Sequence, residues 1–412
     1  MALPGVRTIL KDRFYILSRK DFPTGPRLCI LGVRNTADGT SDGDVAVPDY
    51  DPYLATNEQK VITAFGDGSA LHRGYVEAVA GGATQVYLVA IPSTTTDAGL
   101  QATSANNPLD LAMAAAETIL PDIIIPWGRG GHPSEYSDSP PSGTVTDEPF
   151  GFYADNNGTT ALSLAQRVAS ACATITDRTH PCFAVMGIKP FLPATQYATD
   201  IMTATNVASH TGLPGLVARD SVTNGQYLSI VATEMKPVGY VSTWGYSNGA
   251  ALYAGFISQL RSWSSTTGKI VFNVNTMRYN PTRTQQDYLI SRGVVPAALD
   301  FNRRATWIDG LTFSKSTSDY TRLTTLRIVF DAVQLVRQVA QGFIGEAATL
   351  HHRNAFETAI SAGLRGMKQA GALLDANFVV SYLAAENKAV VDLVLQPAFE
   401  LRNIEIQVAV SF

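Results

Sequence analysis

Little charge, few cysteines and no long apolar run mark this chain more sharply than anything it has in excess. Only 16% of its 412 residues are charged, and 31 basic against 35 acidic side chains leave a formal net charge of −4. A surface built for nucleic acid concentrates Lys and Arg, so direct nucleic-acid binding is not expected. The three cysteines, Cys29, Cys172 and Cys182, are odd in number and lack the paired spacing of a zinc site. Lying in or beside apolar runs, they read as buried reduced thiols. No apolar run approaches the roughly 20 residues that span a bilayer. The first residues, MALPGVRTILKDRFYILSRK, lack the uninterrupted apolar stretch of a signal peptide. The expectation is a soluble protein folded in a cytoplasm, without membrane insertion and with no cofactor or metal.

What the chain does have is apolar material, 45% of its residues, enough for a large core. From about 27 to 275, short β-branched apolar runs alternate with amphipathic stretches, the pattern of an α/β layer structure. Strands are expected at 28–33, 85–91, 122–127, 182–188, 227–233, 238–244 and 270–274, and helices near 109–120, 161–175 and 250–263. Between 128 and 158 the text turns to GRGGHPSEYSDSPPSGTVTDEPFGFYADNNG, a long exposed excursion rich in Gly, Pro, Ser and Asp. Beyond Trp307 the period changes. Residues 320–344 read as one helix with a stripe of Leu323, Leu326, Phe330, Val333 and Ala340. A second, 351–369, sets Phe356, Ile360, Leu364 and Met367 against Arg353, Glu357, Ser361, Arg365 and Lys368, and Gly371 stops it. Strands at 377–383, 389–395 and 403–412 close the chain. The fold class is therefore α/β (α+β): a mixed-sheet body over 21–305, a helix-plus-strand domain over 306–400, and terminal segments 1–20 and 401–412.

Chemistry is represented by one motif of note. Gly245-Tyr246-Ser247-Asn248-Gly249 fits the G-x-S-x-G elbow of α/β hydrolases between an expected strand and helix. Asp287, Asp300 or Asp309 and then His351 follow in the order of a Ser, acid, His triad. Against this, no HGGG-like oxyanion segment precedes it, and such matches arise readily in a chain with 33 glycines. Helix capping by Ser247 or Asn248 is the simpler reading. Gly66-Asp67-Gly68-Ser69 and Gly128-Arg129-Gly130-Gly131 complete no phosphate-binding fingerprint and read as turns. Asp38, Asp42, Asp44, Asp49 and Asp51 depart from EF-hand spacing and read as a solvated loop. His72, His132, His180, His210, His351 and His352 show no metal-ligand spacing and read as isolated surface or capping residues. Asn157-Gly158-Thr159 is a glycosylation acceptor only in a secreted chain. No catalytic, cofactor or metal site is expected.

The ends are more telling. Ile404, Ile406, Val408, Val410 and Phe412 alternate strictly with Glu405, Gln407, Ala409 and Ser411. Val6, Thr8 and Leu10, then Phe14 and Ile16, make a similar pattern at the start. Such strands either complete their own sheet or pair with another chain's edge. Five buried apolar side chains and a ladder of hydrogen bonds supply roughly 10 to 20 kcal/mol. Ordering ten residues costs about as much. Lending a strand is thus near break-even alone and becomes favourable when neighbouring contacts already hold the donor close.

The succession WIDGLTF, YTRLTTLRIVFDAVQLVRQVAQGFIGEA, RNAFETAISAGLRGMKQAGALLD and NFVVSYLAAENKAVVDLVLQPAFELRNIEIQVAVSF resembles the C-terminal domain of contractile phage tail sheath proteins. That family includes the sheaths of R-type pyocins and related contractile injection systems. FGDGSALHRGYVEAVAGGATQVYLVAI, residues 65–91, is similar to the family's Phe-Gly turn, helix, Gly-Gly and Val-Tyr strand. The resemblance implies a non-enzymatic homo-oligomer, a helical stack of hexameric rings around a tail tube protein, with baseplate and tail terminator proteins as further partners. It implies that segments 1–20 and 401–412 are linking arms. Val379, Val390, Leu393 and Leu395 would lie in the strands that receive them. It places the 306–400 domain next to the tube, with Arg353, Arg365 and Lys368 as candidates for tube contact, and puts the protein in a virion tail. A non-contractile ring or shell protein is the alternative of the same structural class.

Overall fold

The structure, a computed structural model, describes residues 26–34, 47–93, 95, 107–129, 164–187, 219–240, 246–278, 280–398 and 400. Both expected linking arms, the excursion from residue 130 onward, Asp38, Asp42, Asp44, His132, Asn157 and His210 lie outside these residues.

An eight-stranded sheet organises the body. Its strands are β1 (Arg27–Val33), β2 (Tyr53–Ala55), β3 (Gln85–Ile91), β4 (Ile123–Arg129), β5 (Phe183–Gly187), β6 (Leu228–Ala232), β9 (Val294–Leu299) and β10 (Ala305–Trp307). They lie in the order β10-β9-β6-β5-β4-β1-β3-β2. The six inner strands run parallel, and β2 and β10 close the two edges antiparallel. The sequences RLCILGV, QVYLVAI and LSIVA are nearly all apolar and nearly all buried. That is what strands covered on both faces require.

Helices supply the cover. α2 (Ala70–Gly81) and α5 (Ala250–Gln259) pack together on one face, while α3 (Pro108–Thr118) and α4 (Leu164–Arg178) lie on the other. The α2–α5 contact is backbone-close: a Cβ on Gly255 would fall 2.2 Å from the Ala78 carbonyl oxygen, and one on Gly81 2.3 Å from that of Leu252. Nothing larger than glycine fits at either position. A short helix α1 (Glu58–Phe65), a two-stranded ribbon of β7 (Met235–Pro237) and β8 (Val274–Met277), and α6 (Arg283–Ser291) complete the body.

The structure departs from the sequence reading at two places here. The strand expected at 238–244 does not start at 238, because Pro237 ends β7 and Val238 and Gly239 form a turn with Gly239 at φ 96°; 241–244 lie outside the described residues. The strand expected at 270–274 is reduced to an isolated bridge from Ile270 to Thr306, since Asn273 adopts φ 61° and the ladder begins only at Val274. In addition, β10 straddles the expected division at 305/306, so the body sheet runs on into the following segment.

Past β10 the chain is tied to the body by Leu311, whose carbonyl accepts from Ser229 Oγ at 2.7 Å, and by buried Asp309, whose Oδ1 accepts from Thr267 Oγ1 at 3.1 Å and also pairs with Arg322. α7 (Leu323–Gln341) then packs against the amino-terminal ends of the strands, with Phe330 stacked on Tyr227 at 6.0 Å and tilted against Phe183. Two of its arginines engage helices from opposite faces of the sheet. Arg327 donates to the carbonyls of Ile257, Leu260 and Ser264 at the end of α5. Arg337 donates to those of Thr176, Asp177 and Thr179 at the end of α4. A cation there satisfies orphan carbonyls and the negative end of each helix dipole. α8 (Leu350–Gln369) turns back along α7, fixed by Phe343 on Phe356 at 5.2 Å and by Gly363, where a Cβ would strike Leu335.

Candidate functional site

Gly371, at φ 80°, ends α8, and Leu373 and Ala372 are buried as the chain reverses. There follow β11 (Leu373–Leu383) and β12 (Lys388–Pro397), antiparallel and joined by a 3₁₀ turn at Ala384–Glu386 with Asn387 in the left-handed region at φ 50°. Phe378, Val380, Val391 and Leu393 pack back onto the core beside α8, whose Phe356, Ile360, Leu364 and Met367 are buried. The other face is open. Val379 is 64% exposed, Val394 44% and Leu383 40%. Among the described residues no third strand pairs with this ribbon. Among the described residues both edges, ten and eleven residues long, have no partner strand. A solitary two-stranded ribbon is marginal in water, and here β11 packs on α8.

The four residues expected to receive a strand all lie on this ribbon but divide between its faces. Val379 and Val390 belong to the outer face, while Leu393 and buried Leu395 turn toward α8. The period-2 pattern made both faces partly apolar, and only the position of α8 distinguishes them. The three basic residues of α8 also differ. Arg353 lies 4.4 Å over the Tyr382 ring and donates to the Ala348 carbonyl, so it braces the ribbon. Tyr382 donates to Glu357 at 3.3 Å. Lys368 pairs with Asp375 at 3.1 Å, which holds that carboxyl below its usual range. Exposed Arg365 bonds Ser361 on its own helix at 3.3 Å and has no acidic partner among the described residues.

The hydrolase-like motif is occupied otherwise. Ser247 is 1% exposed, its hydroxyl donates to Glu77 and its oxygen accepts from the Gly249 amide. Neither Ser247 nor Asn248 is the cap residue of α5, which is Gly249, although Asn248 Oδ1 accepts from the Ala250 amide. The three acids are engaged elsewhere: Asp287 with Arg283, Asp300 with Arg304, and Asp309 with Arg322. His351 is exposed in the first turn of α8. The triad is not assembled.

Glu77, which sequence reading missed, is the group that organises this region. Fully buried on α2, it accepts from Tyr240 Oη at 3.1 Å, from Ser247 and from the amides of Ala251 and Leu252 at the start of α5. Burial pushes its carboxyl up to about 7 despite these donors. A Glu four residues after Arg73 reads as a solvated helical pair. The available signal was the company of Gly74, Gly81 and alanines, which marks a helix packed on more than one side. His72 and His180 likewise correct the surface reading, since both are buried, His72 beside Glu58 and Asp67 and His180 beside Asp122. The three thiols are buried and free, as expected. Among the described residues no helix is long and apolar enough to cross a membrane.

The described residues thus form a layered α/β body that carries a two-stranded ribbon on a pair of helices. No protein-family model matches the chain, and no curated protein sequence does. Solved structures do match, and at full length. One is the helical sheath of the anti-feeding prophage in its contracted state, with 14% identity, 99% of each chain covered and a TM-score of 0.59. Another is the contracted sheath complex of the extracellular contractile injection system PVC, with 12% identity, 99% of this chain and 98% of that one covered, and a TM-score of 0.61. A third is a sheath tail protein from Listeria innocua, with 10% identity, 93% and 94% covered, and a TM-score of 0.56. The chain has the fold of contractile sheath proteins, and the mixed α/β architecture expected from its sequence is borne out.

Proposed function

We propose that this chain is the structural subunit of a contractile tail or injection-system sheath, which polymerises helically around a tube and contracts to drive that tube through a target envelope. The observation that carries the reading is the open ribbon, in a fold similar over its whole length to sheath subunits. Segments 1–20 and 401–412 act as linking arms that add strands to the ribbon of a neighbouring copy, and head-to-tail exchange that does not close on itself propagates as a helix. A tube protein fills the lumen against the 306–400 domain, with Arg365 as the basic residue best placed to reach it. Baseplate and terminator proteins bound the polymer, and contraction shifts rigid bodies while the arms stay engaged. The role is structural rather than catalytic.

Deleting residues 402–412 tests this. The expected product is a folded, soluble monomer, seen by circular dichroism and sedimentation, that no longer forms the tubes or rings seen by electron microscopy for the full chain. Loss of folding on that deletion overturns strand lending by this arm. Sheaths on intact particles that never appear in both long-narrow and short-wide forms overturn contraction while leaving assembly standing.

A further inference from the structure

The two edges of the body sheet each carry an exposed charge without an ion-pair partner among the described residues, Arg303 at one and Asp51 at the other, at the same level. Beyond the carboxyl end of β9, the turn 300–304 is locked by Asp300, whose Oδ1 accepts from the Asn302 and Arg304 amides at 2.8 Å and whose Oδ2 takes Arg304 Nε at 3.0 Å. This rigid turn displays Phe301, at 93% the most exposed large apolar side chain of the described residues. Beside it stands exposed Arg303, with no acidic partner among the described residues, and Phe272 is exposed along the same edge, where Val271 bonds Ala305. At the far edge, the Tyr50 amide bonds the Ala90 carbonyl at 2.9 Å, so Asp49, paired with Arg34 at 3.1 Å, and Asp51 also flank the carboxyl end of the sheet. Asp51 is exposed and without a basic partner among the described residues, exposed Glu58 follows, and Leu54 supplies an apolar spot.

Eight strands at about 4.8 Å spacing hold these edges about 34 Å apart, so they cannot meet within one copy. We infer that the Arg303–Phe301 turn of one copy docks on the Asp51–Leu54 edge of the next, a lateral head-to-tail contact between sheath bodies that is separate from the arm exchange. This rests on the polymer proposed above. Because the two surfaces differ, the contact is heterologous and generates rings or helices rather than closed dimers, and complementary charge fixes its register.

Charge reversal tests it. Arg303→Glu and Asp51→Lys each raise the concentration at which polymers form by about tenfold, read by sedimentation and electron microscopy, with an unchanged melting temperature. An equal mixture of the two variants, or the double variant Arg303→Glu/Asp51→Lys, restores the original threshold, since each neighbouring pair again meets with opposite charges. Single variants that polymerise like the unmodified chain, or a mixture no better than either alone, overturn the contact while leaving the sheath reading intact. An unmodified chain that forms no polymer at any concentration overturns both.

Discussion

The inner strands of the body sheet and the strands of the C-terminal ribbon are made from the same kinds of residue, yet they live differently. β1 is seven residues long and almost wholly buried, whereas β11 is eleven residues long and alternates between half-buried and exposed. Strand length and β-propensity do not decide which is the stable element. Cover does. The body is sandwiched between two helical layers, and the ribbon is backed on one side only. Burial on both faces is what the body strands have and what, among the described residues, the ribbon lacks.

The sharpest way to break that comparison is to disturb the body where it is tightest. Gly255→Val drives a side chain into the Ala78 carbonyl and is expected to cost about 3 kcal/mol or more in urea denaturation. Gly366→Ala on α8, where a Cβ meets nothing within 4 Å, is expected to stabilise by up to about 1 kcal/mol, the opposite sign in the same residue type.

Comparable in size to the Gly255→Val effect is a pH effect confined to the body. The folded chain keeps a proton on Glu77 up to about pH 7, whereas the unfolded chain releases it near 4.5. Between those values the unfolded state binds fewer protons, so stability falls as pH rises, by about 3 kcal/mol over the window. Glu77→Gln is expected to flatten that slope in melts between pH 5 and 7. An unchanged slope places the proton elsewhere. The smallest expected effect is on the ribbon: Val379→Ser changes monomer stability by less than about 0.5 kcal/mol. A large loss there would mean that the outer face is covered within a single copy.

The same contrast explains what could be read in the sequence. Body strands such as Gln85–Ile91 declare themselves because burial on both faces demands an uninterrupted apolar run. The ribbon strands were equally legible by alternation, but their length was not, because Leu373 and Leu374 precede the alternating stretch and pairing extends to Pro397. The strand expected to begin at Val238 does not begin there, because Val238 and Tyr240 suggest a ladder that Pro237 and the left-handed Gly239 prevent. Glu77 was invisible because its meaning depends on Tyr240 and Ser247, more than 160 residues away. The candidate interface was legible as strands but not as faces, since only tertiary packing says which side α8 covers.

The two arginines of α7 carry a mechanical consequence. Arg327 and Arg337 grip the ends of helices that belong to opposite sides of the sheet, and α8 and the ribbon hang from the same helix. A pull on the ribbon is thus shared between both outer layers instead of peeling one away from the strands. In a lattice whose copies are joined through such ribbons, that load path runs through the middle of each subunit.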